Sequence, residues 1–316
     1  MTPTRDQHAT ASAEPMQATR SFLASLGLPG RDLPELHSSG ARFDDGRRFR
    51  VEIPSVERPD VFEAVLKAAE EFDIRIDRVS QGSGIMLLTD REIERMVTLG
   101  RDNGVEVSLF TGPRAAWDIG AQTGSTSGKV LGASLRGADQ LVYGVEDVRR
   151  GCELGVRSVL VADVGQLWVL AEMKRAGELP ADLVLKVSVS LPVANPATAR
   201  VLQDIGASTL NLPVDLPVSA IAAIRSAVSI PVDVYIEGTD DFGSPVRHYE
   251  LPEIVRVASP VYIKFAVRNA PSLHPYGGHL QRLAVETAQE RVRRAAIGLG
   301  ILRRYDAEAV QESARR

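Results

Sequence analysis

Short runs of β-branched and other apolar residues alternate along the chain with longer segments in which apolar residues have helical spacing. The predicted strands are residues 49–54, 74–80, 105–111, 158–163, 183–190, 208–213, 232–237 and 261–268. Most of them start roughly 25 to 30 residues after the previous one, which is the length of one βα step. Eight such units in about 250 residues predict an α/β chain folded as a single (β/α)8 barrel, the TIM barrel.

An open doubly wound sheet is the main alternative to this barrel. A dinucleotide-binding sheet of that kind carries G-x-G-x-x-G after its first strand, whereas VEIPSVERPD stands at that place in residues 51–60. We therefore expect the barrel over residues 46–305. A flexible N-terminal extension over residues 1–45, rich in Ala, Thr, Ser and Pro, would precede it, and a C-terminal tail over residues 306–316 would follow.

Ionisable residues inside the predicted strands alternate with apolar ones. In strand 261–268, Lys264 and Arg268 share one side, while Ile263 and Phe265 share the other. The same alternation groups polar residues on strands 1, 5 and 7: Arg50 with Glu52, Lys186 with Ser188 and Ser190, and Asp233 with Tyr235 and Glu237. Because the apolar set suits the helix layer, we expect the ionisable set to face a polar lumen.

A lysine in the lumen requires a partner, because an ammonium buried alone costs several kcal/mol. We expect Lys264 to lie within reach of Glu237, Asp233 or Glu52. One interpretation of the cluster is an ion-pair network that only fills the barrel. Most barrel interiors are filled by branched apolar side chains, and this contrast favours a functional role for the cluster.

The segment between strands 3 and 4 is about twice the usual length and rich in glycine. Over residues 111–137 it predicts a lid or a substrate loop in which backbone N–H groups, Arg114 and Lys129 face an anion. The phrase GSTSGKV does not have P-loop spacing, because Gly124 and Gly128 are too close and Val130 replaces Ser or Thr. A flexible surface loop is the alternative.

Histidines in the loops after strands 7 and 8 raise the question of a metal. His248 and His274, with nearby acids, could bind a divalent ion, but no HxH or HExxH spacing is present and ordinary loop histidines remain the alternative. The single cysteine, Cys152, excludes an all-cysteine zinc or iron–sulfur site made by this chain alone. The cofactor is thus unknown, no iron–sulfur cluster is expected, and a divalent metal stays open.

Charge and hydropathy limit the partners that the sequence predicts. The formal net charge is -4 and the pI is near 5.8, which gives no support for nucleic-acid binding. The first 45 residues contain no continuous apolar run of the signal-peptide or membrane-spanning kind. We expect a cytoplasmic protein that binds a small molecule, binds neither nucleic acid nor a membrane, and is monomeric or a homo-oligomer.

Two segments resemble the barrel of the peptidase U32 family: LPVDLPVSAIAAIRSAVSIPVDVYIEG (212–238) and PVYIKFAVRNAPSLHPYGGHL (260–280). The resemblance covers about residues 137–280 and rests on the overall sequence pattern, not on a strict catalytic motif. Members of that family are described as collagenase-like proteases or, in other branches, as iron–sulfur proteins that hydroxylate RNA or ubiquinone precursors. Those branches use several cysteines, and this chain has one. The resemblance implies the barrel more than a named activity.

The residues themselves favour chemistry at a lysine. Lys264 and Lys186 are the candidate nucleophiles or bases, since a desolvated lysine beside another cation can form a Schiff base. Two acids could relay protons, Glu237 and Glu52. The candidate ligands of a carboxylate or phosphate are Arg268, Asn269, Asn211, Arg114, Ser188 and Tyr235. This pattern predicts a lyase, aldolase or isomerase acting on a small anion; a U32-type hydrolase, with or without a metal, and a non-catalytic binding barrel are the alternatives.

Overall fold

The computed structural model of the chain describes residues 15–118 and 120–314. Eight parallel strands close into a barrel in the order of the sequence, with β8 bonded to β1. The strands are β1 Phe49–Pro54, β2 Arg78–Ser80, β3 Glu106–Phe110, β4 Ser158–Val161, β5 Val184–Val187, β6 Thr209–Asn211, β7 Val232–Glu237 and β8 Val261–Phe265. The predicted TIM barrel is confirmed.

Helix α1 precedes β1, and the other helices follow the strands and lie on the outside of the barrel. They are α1 Gln17–Ser25, α2 Pro59–Glu71, α3 Asp90–Asn103, α4 Gly137–Glu153, α5 Val164–Arg175, α6 Pro196–Asp204, α7 Val218–Ala227, α8 Leu251–Ala258, α9 Gln281–Tyr305 and α10 Ala307–Ala314. Local signals fix several starts: Thr89 and Glu92 form a reciprocal capping box at α3, and Asp163 caps α5. None of the helices in the described ranges is both long and apolar enough to cross a bilayer.

The alternation of side chains along the strands separates two environments. Val51, Ile53, Ile263 and Phe265 are buried in the apolar layer between strands and helices. The intervening positions face the lumen, where the register sets Glu52 of β1 beside both Arg78 and Lys264. Because successive side chains of a strand point to opposite faces, the polar residues face the lumen on every strand that keeps a regular register.

The chain before β1 covers the amino end of the barrel. Ser39 N donates to Arg256 O at 2.9 Å, and the Phe43 ring packs edge-on against Tyr262 with centroids 5.1 Å apart. The guanidinium of Arg50 lies 4.3 Å from the centroid of Phe43. The part of the expected extension before residue 15 lies outside the described residues.

Candidate active site at the carboxyl ends of the strands

Glu52 is the centre of an ion-pair network inside the barrel. Its Oε1 accepts a hydrogen bond from Ser80 Oγ at 2.6 Å and lies 3.0 Å from Lys264 Nζ. Its Oε2 lies 3.3 Å from Arg78 Nη1 and accepts a hydrogen bond from Lys186 Nζ. One carboxylate thus holds side chains from three other strands.

Asp233 is the second carboxylate of this network. Its Oδ2 lies 3.1 Å from Lys186 Nζ and 3.2 Å from Arg78 Nη1. Arg78 also reaches Glu106, with 2.9 Å between Nε and Oε1. Since Glu52, Asp233 and Lys186 are completely buried, the cations and carboxylates neutralise one another away from solvent, as buried charges require.

The network fixes the protonation of its members. Burial alone would raise the pKa of Glu52, but the positive charges of Lys186, Lys264 and Arg78 hold it well below its ordinary value. Burial lowers the pKa of Lys186 to about 8, although Asp233 and Glu52 act in the opposite direction. Glu52 is therefore a carboxylate at neutral pH, which suits it to hold a cation.

Lys264 connects this network to a pocket. Its Nζ donates to Asn211 Oδ1 at 2.7 Å and lies 4.5 Å from the centroid of the Tyr235 ring. Asn211 is oriented by its own hydrogen bond to Val187 O at 2.6 Å. Lys264 and Asn211 line the pocket, whereas Lys186 lies deeper in the lumen with no exposed surface. Of the two lysines proposed from the sequence, Lys264 is the one that a ligand can reach.

The pocket opens at the carboxyl ends of the strands, where TIM barrels carry their active sites. Its volume of about 230 Å³ is below the ~300–1,000 Å³ of sites for drug-sized ligands. The residues that line it include Ser80, Phe110, Ser188, Tyr235, Ala266 and Arg291. Burial keeps the pKa of Tyr235 above its ordinary value, so its phenol is neutral and can donate a hydrogen bond. A small ligand fits the space and meets polar groups from several strands.

Arg114, in the glycine-rich segment 111–137, is a cation that lines this pocket. The guanidinium carbon of Arg114 lies 3.6 Å from the centroid of Phe110 and 4.1 Å from that of Trp117, and one of its nitrogens donates to Gly82 O. Lys129 of the same segment is exposed and does not line the pocket. The predicted contribution of Arg114 to the site is thus matched by its position, and that of Lys129 is not.

A buried carboxylate fastens the rim of the pocket. Glu57 Oε1 accepts a hydrogen bond from Gly82 N at 2.8 Å and lies 3.0 Å from His274 Nε2, while Oε2 accepts from Ser83 N at 3.0 Å. Tyr276 N donates to Ser83 Oγ at 2.8 Å. The loops after β1, β2 and β8 are joined at this point.

Gly82→Ala should loosen the rim. A Cβ at Gly82 would stand 2.1 Å from His274 Nε2, so His274 must leave Glu57 and the half-buried hydrogen bond between them is lost. We expect the free energy of unfolding to fall by about 1–3 kcal/mol, as for other overpacked sites. Denaturant unfolding measures the change, and Gly40→Ala is the control because nothing lies within 4 Å of a Cβ there. Equal stability of the two variants would contradict the role given to His274.

Glu237 does not face the lumen, contrary to the sequence expectation. The pairing of β7 with β8 shifts register between Tyr235 and Glu237, and this irregularity turns the carboxylate outward. Glu237 Oε2 lies 3.1 Å from His248 Nε2 and 3.6 Å from Arg294 Nη1 of α9. The carboxylate of Glu237 therefore does not line the pocket, where a proton relay would place it.

Simple alternation along β8 also predicts the wrong position for Arg268 and Asn269. Strand β8 ends at Phe265, three residues before Arg268, and the chain turns at Asn269, which has a positive φ of 66°. The Arg268 side chain is about half exposed and its Nε donates to Asp240 at 2.6 Å. Neither residue lines the pocket.

The two histidines proposed as metal ligands lie in separate contacts. His248 binds Glu237 and His274 binds Glu57. Within residues 15–118 and 120–314, no group of three or more His, Cys, Asp or Glu side chains is arranged to hold a metal ion. His248 and His274 therefore share no metal site in the described part of the chain.

Two site residues were missed by the sequence interpretation. Arg78 shares its side of the strand with Ser80, so the test of alternation applied to β2 would have placed it in the lumen. Arg291 lies on the buried stripe of α9 with Ala284, Ala288 and Ala295. A charged residue at the spacing of an apolar stripe was the available signal.

A closed parallel barrel with a polar lumen and a pocket at its carboxyl face defines the structural class of this protein. The model of the family described as peptidase family U32 matches residues 134–240. The resemblance read from the sequence is thus confirmed over part of the barrel. The matched range contains Lys186, Asn211 and Asp233 and ends before Lys264.

Several solved structures are similar to this chain at low sequence identity. One described as that of a U32 peptidase is 19% identical, with 64% of this chain and 72% of that chain covered and a TM-score of 0.38. Thiamine phosphate pyrophosphorylase from Pyrococcus furiosus is 12% identical over 85% and 98% of the two chains, with a TM-score of 0.46. A putative lyase/mutase from Burkholderia cenocepacia is 16% identical over 89% and 90%, with a TM-score of 0.42. The search of curated proteins found no match.

Proposed function

We propose that this protein is an enzyme of the lyase, aldolase or isomerase type that acts on a small anionic carbonyl compound through the amine of Lys264. The position of this amine is the observation that carries the proposal. Lys264 lines the pocket, and its Nζ contacts Glu52 and Asn211. A lysine on a strand of a rigid barrel is well placed for covalent catalysis.

The chemistry begins with transfer of a proton from the Lys264 ammonium to solvent in the open pocket. The Nζ lone pair then attacks the carbonyl carbon, and protonation and departure of the carbonyl oxygen as water leave an iminium ion. Electrons of an adjacent C–C or C–H bond flow into this iminium to give an enamine, while the cleaved carbonyl fragment or the proton leaves. Protonation of the enamine carbon by solvent restores the iminium, and its hydrolysis returns the amine and the product. Glu52 stays ionised and stabilises the positive nitrogen in each cationic state, so its proposed role is electrostatic.

Polar groups around the amine complete the proposal. Tyr235, Ser188 and Ser80 line the pocket, and their hydroxyls can bind the carbonyl oxygen or the hydroxyl formed from it. Lys186 shares the carboxylate of Glu52 with Lys264 and does not line the pocket. It is a positioning residue in this scheme.

Borohydride trapping tests the scheme. The protein is mixed separately with pyruvate, glyoxylate and glyceraldehyde 3-phosphate, treated with sodium borohydride and weighed by mass spectrometry. Reduction of the imine fixes the ligand to the protein, so we expect, with at least one compound, a mass gain equal to one ligand less its carbonyl oxygen. Lys264→Met should show no such gain. Equal labelling of wild type and variant, or no labelling by any compound, would contradict the proposal.

A U32-type hydrolase is the second candidate, and the family match to residues 134–240 favours it. No protease signature is assigned to particular residues of this chain. Cleavage of gelatin or casein by the purified protein, abolished by a chelator, would support a metal-assisted hydrolase. Imine trapping without such cleavage would favour the lysine chemistry.

A further inference from the structure

Two arginines outside the ion-pair network line the pocket, Arg291 of α9 and Arg114 of the loop after β3. Arg291 is 1% exposed and Arg114 is 9% exposed. Each makes one hydrogen bond to a backbone carbonyl: Arg291 Nη1 to Ser55 O at 3.2 Å, and Arg114 to Gly82 O. The Nε atom of each is buried without a hydrogen-bond partner among the residues that the structure describes.

Three other buried guanidinium groups have more partners, although the Nε of Arg78 also lacks a hydrogen bond. Arg78 binds three carboxylates, and Arg47 binds Asp77 at 2.6 Å. Arg225 lacks a carboxylate but donates to two carbonyls that follow its own helix. Within the described ranges, Arg291 and Arg114 form no ion pair with any carboxylate. A planar group with five N–H donors that uses one of them has donors left for a ligand.

The two arginines donate to two loops that Glu57 joins, Arg291 to Ser55 O and Arg114 to Gly82 O. Both feel the negative charge of Glu57, a single carboxylate that already binds His274 and the N–H groups of Gly82 and Ser83. Burial lowers the pKa of each arginine to about 10, so both remain protonated at neutral pH. The two positive charges thus face Glu57, which is engaged elsewhere, and Arg114 also feels Asp147, whose Oδ2 accepts a hydrogen bond from Gly112 N at 3.0 Å.

We infer that Arg291 and Arg114 together form an oxyanion subsite that binds the carboxylate or phosphate end of the ligand. Guanidinium groups bind such anions through paired, charge-assisted hydrogen bonds, and Arg291 has the free donors and the burial that make these bonds strong. The stacking of Arg114 on Phe110 and Trp117 holds its plane in place.

The subsite also sets which end of a ligand meets Lys264. Tyr235 joins the two regions, because the Lys264 amine lies 4.5 Å from its ring centroid and the charge of Arg291 acts on its phenol. A ligand anchored by its anion at the arginines would extend toward the amine within a cavity of about 230 Å³. This second step rests on the proposed function, whereas anion binding itself does not.

Equilibrium binding of two probes, inorganic phosphate and acetate, tests the inference by isothermal titration calorimetry at low ionic strength. We expect wild type to bind at least one probe, and the probe that binds more tightly identifies the preferred anion. Arg291→Gln and Arg114→Gln should each weaken binding by about tenfold or more, since a lost charge-assisted hydrogen bond has that effect. Arg95→Gln is the matched control, because Arg95 is exposed and paired with Glu63, and its affinity should equal that of wild type.

Further variants separate this inference from the proposed function. Lys264→Met should retain phosphate or acetate binding even though imine trapping is lost. If trapping fails on wild type while the arginine variants lose anion binding, the result supports the anion subsite and contradicts the imine chemistry at Lys264. If wild type binds neither probe, or if both arginine variants bind like Arg95→Gln, the subsite is wrong whatever the trapping shows. Should Arg291→Gln fail to fold, Arg291→Lys keeps the charge but loses the paired geometry, and a similar loss of affinity is expected.

Discussion

Glu52→Gln should lower the free energy of unfolding by about 3–5 kcal/mol, because removing one partner of a buried ion pair leaves charges without compensation. Glu52 contacts Lys264, Arg78 and Lys186, and the variant keeps the size of the side chain while removing its charge. Denaturant unfolding at neutral pH measures the loss. Glu94→Gln is the control, since Glu94 is exposed and such changes are usually within about 0.5 kcal/mol.

The same variant should also change the pH dependence of stability. The pKa of Glu52 is lower in the folded protein than its ordinary value, so its contribution is fully present above about pH 4.3, the unfolded value. That contribution is lost as the pH falls toward the folded pKa, because the unfolded chain then binds the proton more tightly. Glu52→Gln should therefore lose less stability than wild type on acidification. A loss at neutral pH of less than about 1 kcal/mol would contradict the central place given to this carboxylate.

Lys264→Met should fold and lose nearly all turnover, by about 10³-fold or more, the scale seen when a catalytic nucleophile is removed. Glu52 keeps Arg78, Lys186 and Ser80 as partners in this variant, so the network is weakened but not broken. The measurements are kcat on the substrate found by trapping and the midpoint of thermal unfolding. Full activity in a well-folded variant would reduce Lys264 to a structural ion-pair partner.

Lys186→Met is the matched comparison for that experiment. Lys186 binds both Glu52 and Asp233 and does not line the pocket. Its loss should therefore lower stability more than Lys264→Met does, while imine trapping at Lys264 is retained. If Lys186 is the reactive residue instead, Lys186→Met should abolish imine trapping, and Lys264→Met should retain it.

Much of the fold follows from sequence periodicity, because each strand is short, buried on its outer side and separated from the next by a helix. The same alternation located Lys264, Lys186, Glu52 and Asp233 in the lumen, since their strands keep a regular register there. It failed at Glu237, where β7 shifts register against β8. Periodicity assumes an unbroken ladder, and one irregular step moves every later side chain to the other side.

The limits of β8 and the role of α9 could not be read in the same way. Residues 266–268 continue the apolar and polar alternation, yet β8 ends at Phe265 and Arg268 meets solvent. Arg291 lies in a helix with several charged residues, QERVRR, and only the packing of α9 against the barrel brings it to Ser55 and the pocket. Contacts between a helix and the end of a distant strand depend on the closed fold, which local patterns do not specify.

The site of the borohydride-reduced adduct tests the account most directly. After trapping with the best ligand, the protein is digested and each lysine-containing peptide is sequenced by tandem mass spectrometry. We expect the added mass on Lys264 alone, because its amine lines the pocket and is held by Glu52 and Asn211. An adduct on Lys186, or on exposed lysines such as Lys67 and Lys129 with none on Lys264, would contradict the assignment of Lys264 as the reactive amine.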